Sequence, residues 1–99
     1  MSAQHTPGPW SIWNFSDDPR HVAVGPDAGG LAVADVVACN AHGCYTAETE
    51  SRGQANARLI AAAPELLTCL LDVLDANGDL DVMDFNRYRA TVAKATGAA

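Results

Sequence analysis

Hydrophobic residues in the second half of the chain follow the spacing of an amphipathic helix. From Ala55 onward they recur in steps of three and four residues, at Leu59, Ala62, Leu66, Leu70 and Val73. A neighbouring row widens this apolar face with Ile60, Ala63, Leu67 and Leu74. The opposite side, which we expect to face solvent, carries Arg58, Ala61, Glu65, Thr68, Asp72 and Asp75. The pattern therefore predicts a helix that buries its leucine face.

Pro64 lies inside this pattern and interrupts it. Proline has no backbone N–H to donate to the carbonyl of Ile60, so it either kinks one helix or opens a second helix in its first turn. Because the apolar stripe keeps its phase across Pro64, we expect a kink or a break with little change of direction. The segment Asn77-Gly78-Asp79 should end the helix, with Gly78 as a left-handed cap.

A last helix is predicted from Val82 to Ala95. Asp81 precedes it and is expected to act as its N-cap. Gly97 follows the pattern and should end the helix. The side of this helix that we expect to be buried carries Phe85, Tyr88, Val92 and Ala95.

The first half of the chain alternates in the manner of β-strands. Three strands are predicted, at Trp10–Phe15, His21–Gly25 and Leu31–Cys39, and the turn Ser16–Pro19 joins the first two. Three short strands cannot cover both of their faces, so the helices must pack on one of them. We therefore predict an α+β fold, in which an N-terminal antiparallel three-stranded meander is packed by two or three C-terminal helices.

Length places these elements in a single domain of residues 1–99, because a chain of 99 residues buries one modest core. Within it we expect a β-rich part at 8–39, a loop at 40–53 and a helical part at 54–96. Hydrophobic residues make up 48% of the sequence and charged residues 18%, a balance typical of a folded protein.

The charge of the chain excludes one class of function. With six basic and twelve acidic residues the formal charge is −6, and the basic residues are scattered, so nonspecific nucleic-acid binding is not expected. No segment has the roughly 18 consecutive apolar residues of a membrane span, and the N-terminus lacks the pattern of a secretory signal. We expect a cytoplasmic protein with free thiols.

Catalytic and metal-binding patterns are weak. Cys39, His42 and Cys44 offer zinc ligands within six residues, but a structural zinc site needs four, and no second cluster follows. The segment around Gly78 resembles a calcium loop, yet Leu80 and Asn86 occupy the positions where that loop requires glycine and a bidentate glutamate. No phosphate loop or nucleophile elbow is present. We therefore expect no enzyme, no bound metal and no cofactor.

Two segments are recognisable sequence motifs. The first is His5-Thr6-Pro7-Gly8-Pro9-Trp10 at the start, and the second is NARLIAAAPELL, which begins at Asn56 in the helix. With the closing segment Tyr88–Gly97, the chain resembles a family of small proteins encoded by tailed bacteriophages and prophages. The resemblance covers most of the chain and places it in the cytoplasm of an infected bacterium. It implies a genomic setting and no particular reaction.

This setting favours a non-enzymatic binding protein that counters host antiviral defence, most directly by sequestering a nucleotide signal. The residues suited to that task can stack a base or hold a phosphate: Trp13, Arg20, Asn56, Arg58 and Arg87. Two of them have a structural alternative. Trp13 would instead cover the second face of the sheet, and Arg58 would pair with Glu50 or Glu65. A homo-oligomer is also expected, because the second sheet face needs a cover.

Two other functions remain open. The acidic edge from Asp72 to Asp84 suits an inhibitor that binds a basic groove of a host defence complex, as anti-CRISPR proteins do. The third possibility is a phage accessory protein with a structural or regulatory role.

Overall fold

A computed structural model describes residues 5–13 and 20–97 of the chain. Three strands come first: β1 (Trp10–Trp13), β2 (His21–Pro26) and β3 (Ala34–Val37). Three helices follow: α1 (Ala47–Ala61), α2 (Ala63–Ala76) and α3 (Phe85–Thr96), with a short 3₁₀ turn at Leu80–Val82 before α3. This arrangement confirms the predicted α+β fold.

The sheet is the predicted antiparallel meander, in the order β1-β2-β3. Ile12 lies opposite Val24, and Val22 lies opposite Val36. The end of the first predicted strand and the turn Ser16–Pro19 lie outside the described residues. β3 is shorter than the predicted Leu31–Cys39, and Leu31 is 88% exposed.

The core lies between one sheet face and α1. Trp10, Val22 and Val24 point toward the helix, where Ala57 and Ala61 meet them. Small residues on α1 let its backbone come close to the strands, and Gly53 marks the closest approach. A Cβ built on Gly53 would lie 2.7 Å from the Cβ of Ala38, so this position has no room for a side chain.

Helix α1 begins seven residues earlier than the predicted helical part, so the predicted loop at 40–53 is wrong beyond Thr46. Thr46 is the N-cap: its hydroxyl accepts the backbone N–H of Thr49 at 3.2 Å. Thr49 returns the contact by accepting the N–H of Thr46 at 2.8 Å. This reciprocal cap satisfies two backbone donors, and Glu48 and Glu50 in the first turn complement the positive end of the helix.

Pro64 divides the helical segment into two helices, one of the two outcomes that its position allowed. α1 ends at Ala61, and Pro64 lies in the first turn of α2, where its missing N–H costs nothing. Both helices contact α3, but only α1 also packs extensively on the sheet.

The orientation of α2 is the reverse of the predicted one. Its polar side faces α3: the Tyr88 hydroxyl donates to the Asp72 carboxylate, and Lys94 Nζ lies 2.7 Å from Glu65 Oε1. The leucine face that we expected to be buried is exposed, with Leu70 at 57%. The reason is that α2 packs chiefly on α3 and not on the sheet, so within residues 5–13 and 20–97 these leucines stay largely uncovered.

Lys94 connects three elements at this corner. Besides its contact with Glu65, its ammonium group donates to the backbone carbonyl of Trp10 at 3.2 Å. The last helix is thereby tied to both α2 and the first strand.

The turn between α2 and α3 is a helix-to-helix connection, as predicted. Asn77 takes the left-handed conformation at the end of α2 with φ 49°, and Gly78 follows with φ 86°. Asp79, and not Asp81, is the capping aspartate here, since its carboxylate accepts the N–H of Asp81 at 3.0 Å and opens the 3₁₀ turn.

Helix α3 starts later and is rotated relative to the prediction. Its N-cap is Asp84, which accepts the N–H of Arg87 at 3.0 Å, and not Asp81. The buried positions are Thr91 and Ala95. Phe85 and Val92, expected inside, are exposed, because α3 contacts α2 through polar side chains. Gly97 ends α3 in the left-handed conformation, as predicted.

Among the described residues, none of the helices combines the length and the apolar character that crossing a bilayer requires.

Candidate functional site: a cleft between α1 and β3

A cleft of about 440 Å³ opens where the end of β3 meets the first half of α1. Its volume lies within the range of small-molecule sites. Its lining is mostly polar, with one apolar strand residue: Val37, Cys39, Asn40, Thr46, Glu48, Thr49, Arg52, Gly53 and Asn56.

One wall of the cleft is a loop closed by Asn40. The side-chain oxygen of Asn40 accepts the backbone N–H groups of His42 at 2.9 Å and of Cys44 at 3.0 Å. The backbone N–H of Asn40 donates to the carbonyl of Cys44 at 3.0 Å. These three hydrogen bonds define the loop conformation from within, and they set Cys39 and Asn40 at the rim of the cleft.

The other wall is the N-terminal half of α1. Arg52 reaches back four residues, and its guanidinium lies 3.2 Å from Glu48 Oε1. Both side chains are about three-quarters exposed, so this pair adds little to stability and the guanidinium can exchange one acceptor for another. Asn56 lies one turn further along the same side of the helix and brings an exposed amide to the cleft.

The five residues predicted to bind a ligand do not share this cleft. Asn56 lines it, and the other four lie elsewhere. Trp13 is half-buried, and its indole ring lies on Gly25 in β2, where even a Cβ would come within 2.3 Å of the ring. Trp13 thus covers part of the second sheet face, the structural alternative that the sequence left open. Arg20 precedes β2, and its carbonyl accepts the N–H of Ala38.

Arg58 is half-buried and not on the solvent-facing side where the helical pattern placed it. Its guanidinium lies under the C-terminus of α3: a Cβ built on Gly97 would be 2.5 Å from Arg58 Nε. That Nε atom is buried and has no hydrogen-bond partner within the described part of the chain. A positive charge beside the carbonyl end of a helix is favourable, so Arg58 has a packing and electrostatic role at this junction.

Arg87 lies in a second, smaller cavity between α2 and α3. This cavity has a volume of about 190 Å³ and is lined by Glu65, Thr68, Cys69, Arg87 and Thr91. A hydrogen bond with Cys69 raises the pKa of the Arg87 guanidinium above its already high value. Cys69 also donates to the Thr91 hydroxyl at 3.4 Å. Arg87 is exposed and borders the contact between the two helices, and it does not line the α1–β3 cleft.

Several residues of the cleft escaped prediction because they belong to the part of α1 that was assigned to a loop. Thr46, Glu48 and Thr49 are the clearest of these. The signal was present in the sequence: a threonine followed three residues later by another threonine, with glutamates in the first turn, is a helix start.

Within residues 5–13 and 20–97, no group of three or more histidine, cysteine, aspartate or glutamate side chains is arranged to hold a metal ion. Cys39, Cys44 and Cys69 are free thiols.

Comparison with known families places the chain among phage proteins. Residues 1–99 match the family described as Salmonella phage P22 protein Y8K6. The chain belongs to this family. Neither the curated proteins nor the solved structures contain a significant match to it. Membership confirms the predicted origin in a small phage-protein family.

In this member of the P22 Y8K6 family, the N-terminal motif and the helix motif that begins at Asn56 contact each other. Gly8 lies against Pro64, and a Cβ on Gly8 would come within 2.6 Å of the Pro64 Cβ. Two residues later, Trp10 enters the core beside Ala57 and Ala61. The N-terminal segment and the α1–α2 junction therefore form one packing unit.

Proposed function

We propose that this phage protein is a non-enzymatic binding protein that counters host antiviral defence by sequestering a nucleotide signal, and that the α1–β3 cleft is its binding site. The observation that carries the proposal is the composition of the cleft: two amides, two hydroxyls, one thiol and one guanidinium paired with a carboxylate surround a volume of about 440 Å³.

The chemistry of these groups suits a nucleotide. The amide of Asn56 can donate and accept at a base edge, and Val37 offers an apolar surface to its ring. Asn40 can only donate, because its side-chain oxygen already accepts two backbone N–H groups. Arg52 supplies the planar fork that matches a phosphate. A phosphate that binds Arg52 must displace Glu48. This displacement costs little free energy, because the exposed ion pair is weak.

The family supports a phage origin, and the defence setting is our proposal from that origin. Small accessory proteins of phages often act against host systems, an association and not a property of the cleft. On this proposal the protein needs no catalytic group, only affinity and sufficient copies to lower the concentration of the signal.

A thermal-shift screen against linear and cyclic nucleotides tests the proposal. A ligand at about 100 times its dissociation constant stabilises a fold by roughly 2.7 kcal/mol, which raises the Tm of a domain of this size by several degrees. We expect the shift to disappear in Arg52→Ala and Asn56→Ala. Arg89→Ala, an exposed arginine on α3 away from the cleft, is the matched control and should keep it.

Two results contradict the proposal. The first is no shift with any nucleotide class. The second is a shift that both cleft variants retain, since the ligand would then bind elsewhere.

A second candidate is a protein inhibitor that presents acidic side chains to a basic groove. The observation that favours it is the turn between α2 and α3, where Asp75 and Asp81 are exposed. Three neighbouring carboxylates are already engaged within the fold: Asp72, Asp79 and Asp84.

Phage protection in host cells separates the two candidates. If Asp75→Asn/Asp81→Asn abolishes protection and Arg52→Ala preserves it, the inhibitor is favoured over nucleotide capture. If neither variant changes protection, the protein has a structural or regulatory accessory role.

A further inference from the structure

The apolar side of α2 is the largest feature of the fold that the proposed cleft does not use. We define the α2 apolar face by Leu67, Leu70, Leu71, Val73 and Leu74. These side chains are between 37% and 65% exposed. At 3.6 residues per turn they span an arc of about 160°, wider than the stripe of an ordinary surface helix.

No charged side chain lies within this arc. The acidic residues Glu65 and Asp72 are on the opposite side of α2 and contact α3. The face is therefore apolar throughout, and its charge-free arc cannot be explained as a solvated surface.

Charge indicates what covers it. A basic partner would be recognised through carboxylates, and the five residues of the face carry none. Asp72 accepts from Tyr88 on α3, and Glu65 contacts Lys94 and borders only the groove beside the face. A second copy of this chain also carries −6, so contact through a surface without charge is favourable because it brings no like charges together. The α2 apolar face meets that condition.

The spacing of the leucines also suits self-association. Leu67, Leu70 and Leu74 follow the three- and four-residue steps of a coiled-coil seam. When two such helices pack antiparallel about a two-fold axis, Leu70 lies near the axis and Leu67 of one copy meets Leu74 of the other. Each copy then supplies the same patch, as a symmetric dimer requires.

The available area fits a small dimer. The exposed parts of these five side chains amount to on the order of 400 Å² per chain, at the scale of the largest apolar patch on a typical monomer. Beside them lies a groove of about 350 Å³ that Leu67 and Leu71 share with His5, Gly8, Pro9, Pro64, Glu65 and Thr68. With this rim included, two copies approach the roughly 1,200 Å² at the lower end of specific interfaces.

We propose that the protein is a symmetric dimer in which the α2 apolar faces of two copies pack against each other. In this dimer α2 and α3 of both copies form a four-helix arrangement, with α3 on the outside. The sequence predicted an oligomer through the second face of the sheet, and this proposal moves the interface to α2. It does not depend on the nucleotide cleft, whose lining residues lie on β3, the following loop and α1.

Light scattering coupled to size-exclusion chromatography tests the dimer. We expect wild-type protein to have twice the chain mass, and Leu70→Glu/Leu74→Glu to have the mass of one chain. Both positions are more than half exposed in the monomer, so the variant should keep its fold, which circular dichroism checks. Leu31→Glu is the matched control: Leu31 is 88% exposed but lies in the loop before β3, and its variant should remain dimeric.

A second measurement does not rely on a variant. The Tm of a dimer rises with protein concentration, so wild-type protein should melt at increasing temperature from about 1 to 100 µM, and Leu70→Glu/Leu74→Glu should not.

Wild-type protein that is monomeric and melts independently of concentration would overturn the proposal and assign the face to a different partner. A Leu70→Glu/Leu74→Glu variant that stays dimeric would overturn it as well, because the copies would then meet through another surface.

Discussion

Replacing Gly53 by alanine sets two opposing effects against each other. Gly53 lies in the middle of α1, where alanine is the better helix former by roughly 1 kcal/mol. If Gly53 were exposed, this substitution would therefore stabilise the protein. Gly53 is buried, however, and its missing side chain is what lets α1 approach Ala38 after β3.

The structure decides which effect is larger. The new Cβ would be 2.7 Å from the Ala38 Cβ and 3.2 Å from its Cα. Neither atom belongs to a flexible side chain, so α1 and the backbone at Ala38 have to move apart. Overpacking of this kind costs about 1–3 kcal/mol. Subtracting the gain in helix propensity leaves a net loss of about 1 kcal/mol, which lowers the Tm of a domain of this size by roughly 4–8 °C.

Urea unfolding followed by circular dichroism measures the loss, and a double-mutant cycle identifies its cause. Ala38→Gly removes the Cβ that collides, at its own cost of about 1 kcal/mol for the lost buried methyl group and the added chain entropy. In that background Gly53→Ala should cost little or even stabilise. The double variant is expected to be about 1–2 kcal/mol more stable than the sum of the two single effects predicts.

The reasoning fails if Gly53→Ala raises the unfolding free energy, as helix propensity alone predicts. It also fails if the effects of the two substitutions simply add, because the contact between α1 and Ala38 would then not limit the packing.

Two further substitutions test a cap and a titrating group. Thr46→Ala removes the hydroxyl that caps α1 against Thr49 and should lower the unfolding free energy by about 1 kcal/mol; Thr68→Ala, which removes a hydroxyl bonded within its own helix, should cost less. The Asp72 carboxylate raises the pKa of the Tyr88 hydroxyl, so the folded chain holds this proton more tightly than the unfolded chain. The stability it contributes is fully present below the ordinary tyrosine pKa of about 10 and is lost as pH rises through the folded value. The Tm difference between wild-type protein and Tyr88→Phe should therefore shrink in alkaline buffer, and a constant difference would contradict this assignment.

Local signals in the sequence were sufficient for most elements of the fold, although the first half of α1 was assigned to a loop. Alternation from Trp10 onward and from His21 onward defined the first two strands, because a half-buried strand repeats every two residues. Steps of three and four residues defined the helices, and Gly97 marked the end of α3, because glycine takes the left-handed conformation without a steric cost. Pro64 marked the break between α1 and α2 for a similarly local reason.

The candidate site was harder to predict, because its residues come together only through tertiary contacts. Asn56 was identified, but Thr46 and Arg52 were assigned to a loop, and no local pattern places the end of β3 beside them. Arg58 was mispredicted for the same reason. Helical periodicity placed it opposite the leucines and so in solvent, but the C-terminus of α3 lies on that side. A periodic pattern gives the direction of a side chain and not its neighbour.

The sequence by itself determined which side of α2 is apolar and which is polar, since the 3.6-residue period is a property of the helix alone. Only the tertiary structure decided which side faces the rest of the chain. α2 extends past the sheet and meets α3 through Glu65 and Asp72, which leaves Leu70 and Leu74 in solvent. Burial depends on which surfaces lie within reach, and the described part of the chain leaves both leucines more than half exposed.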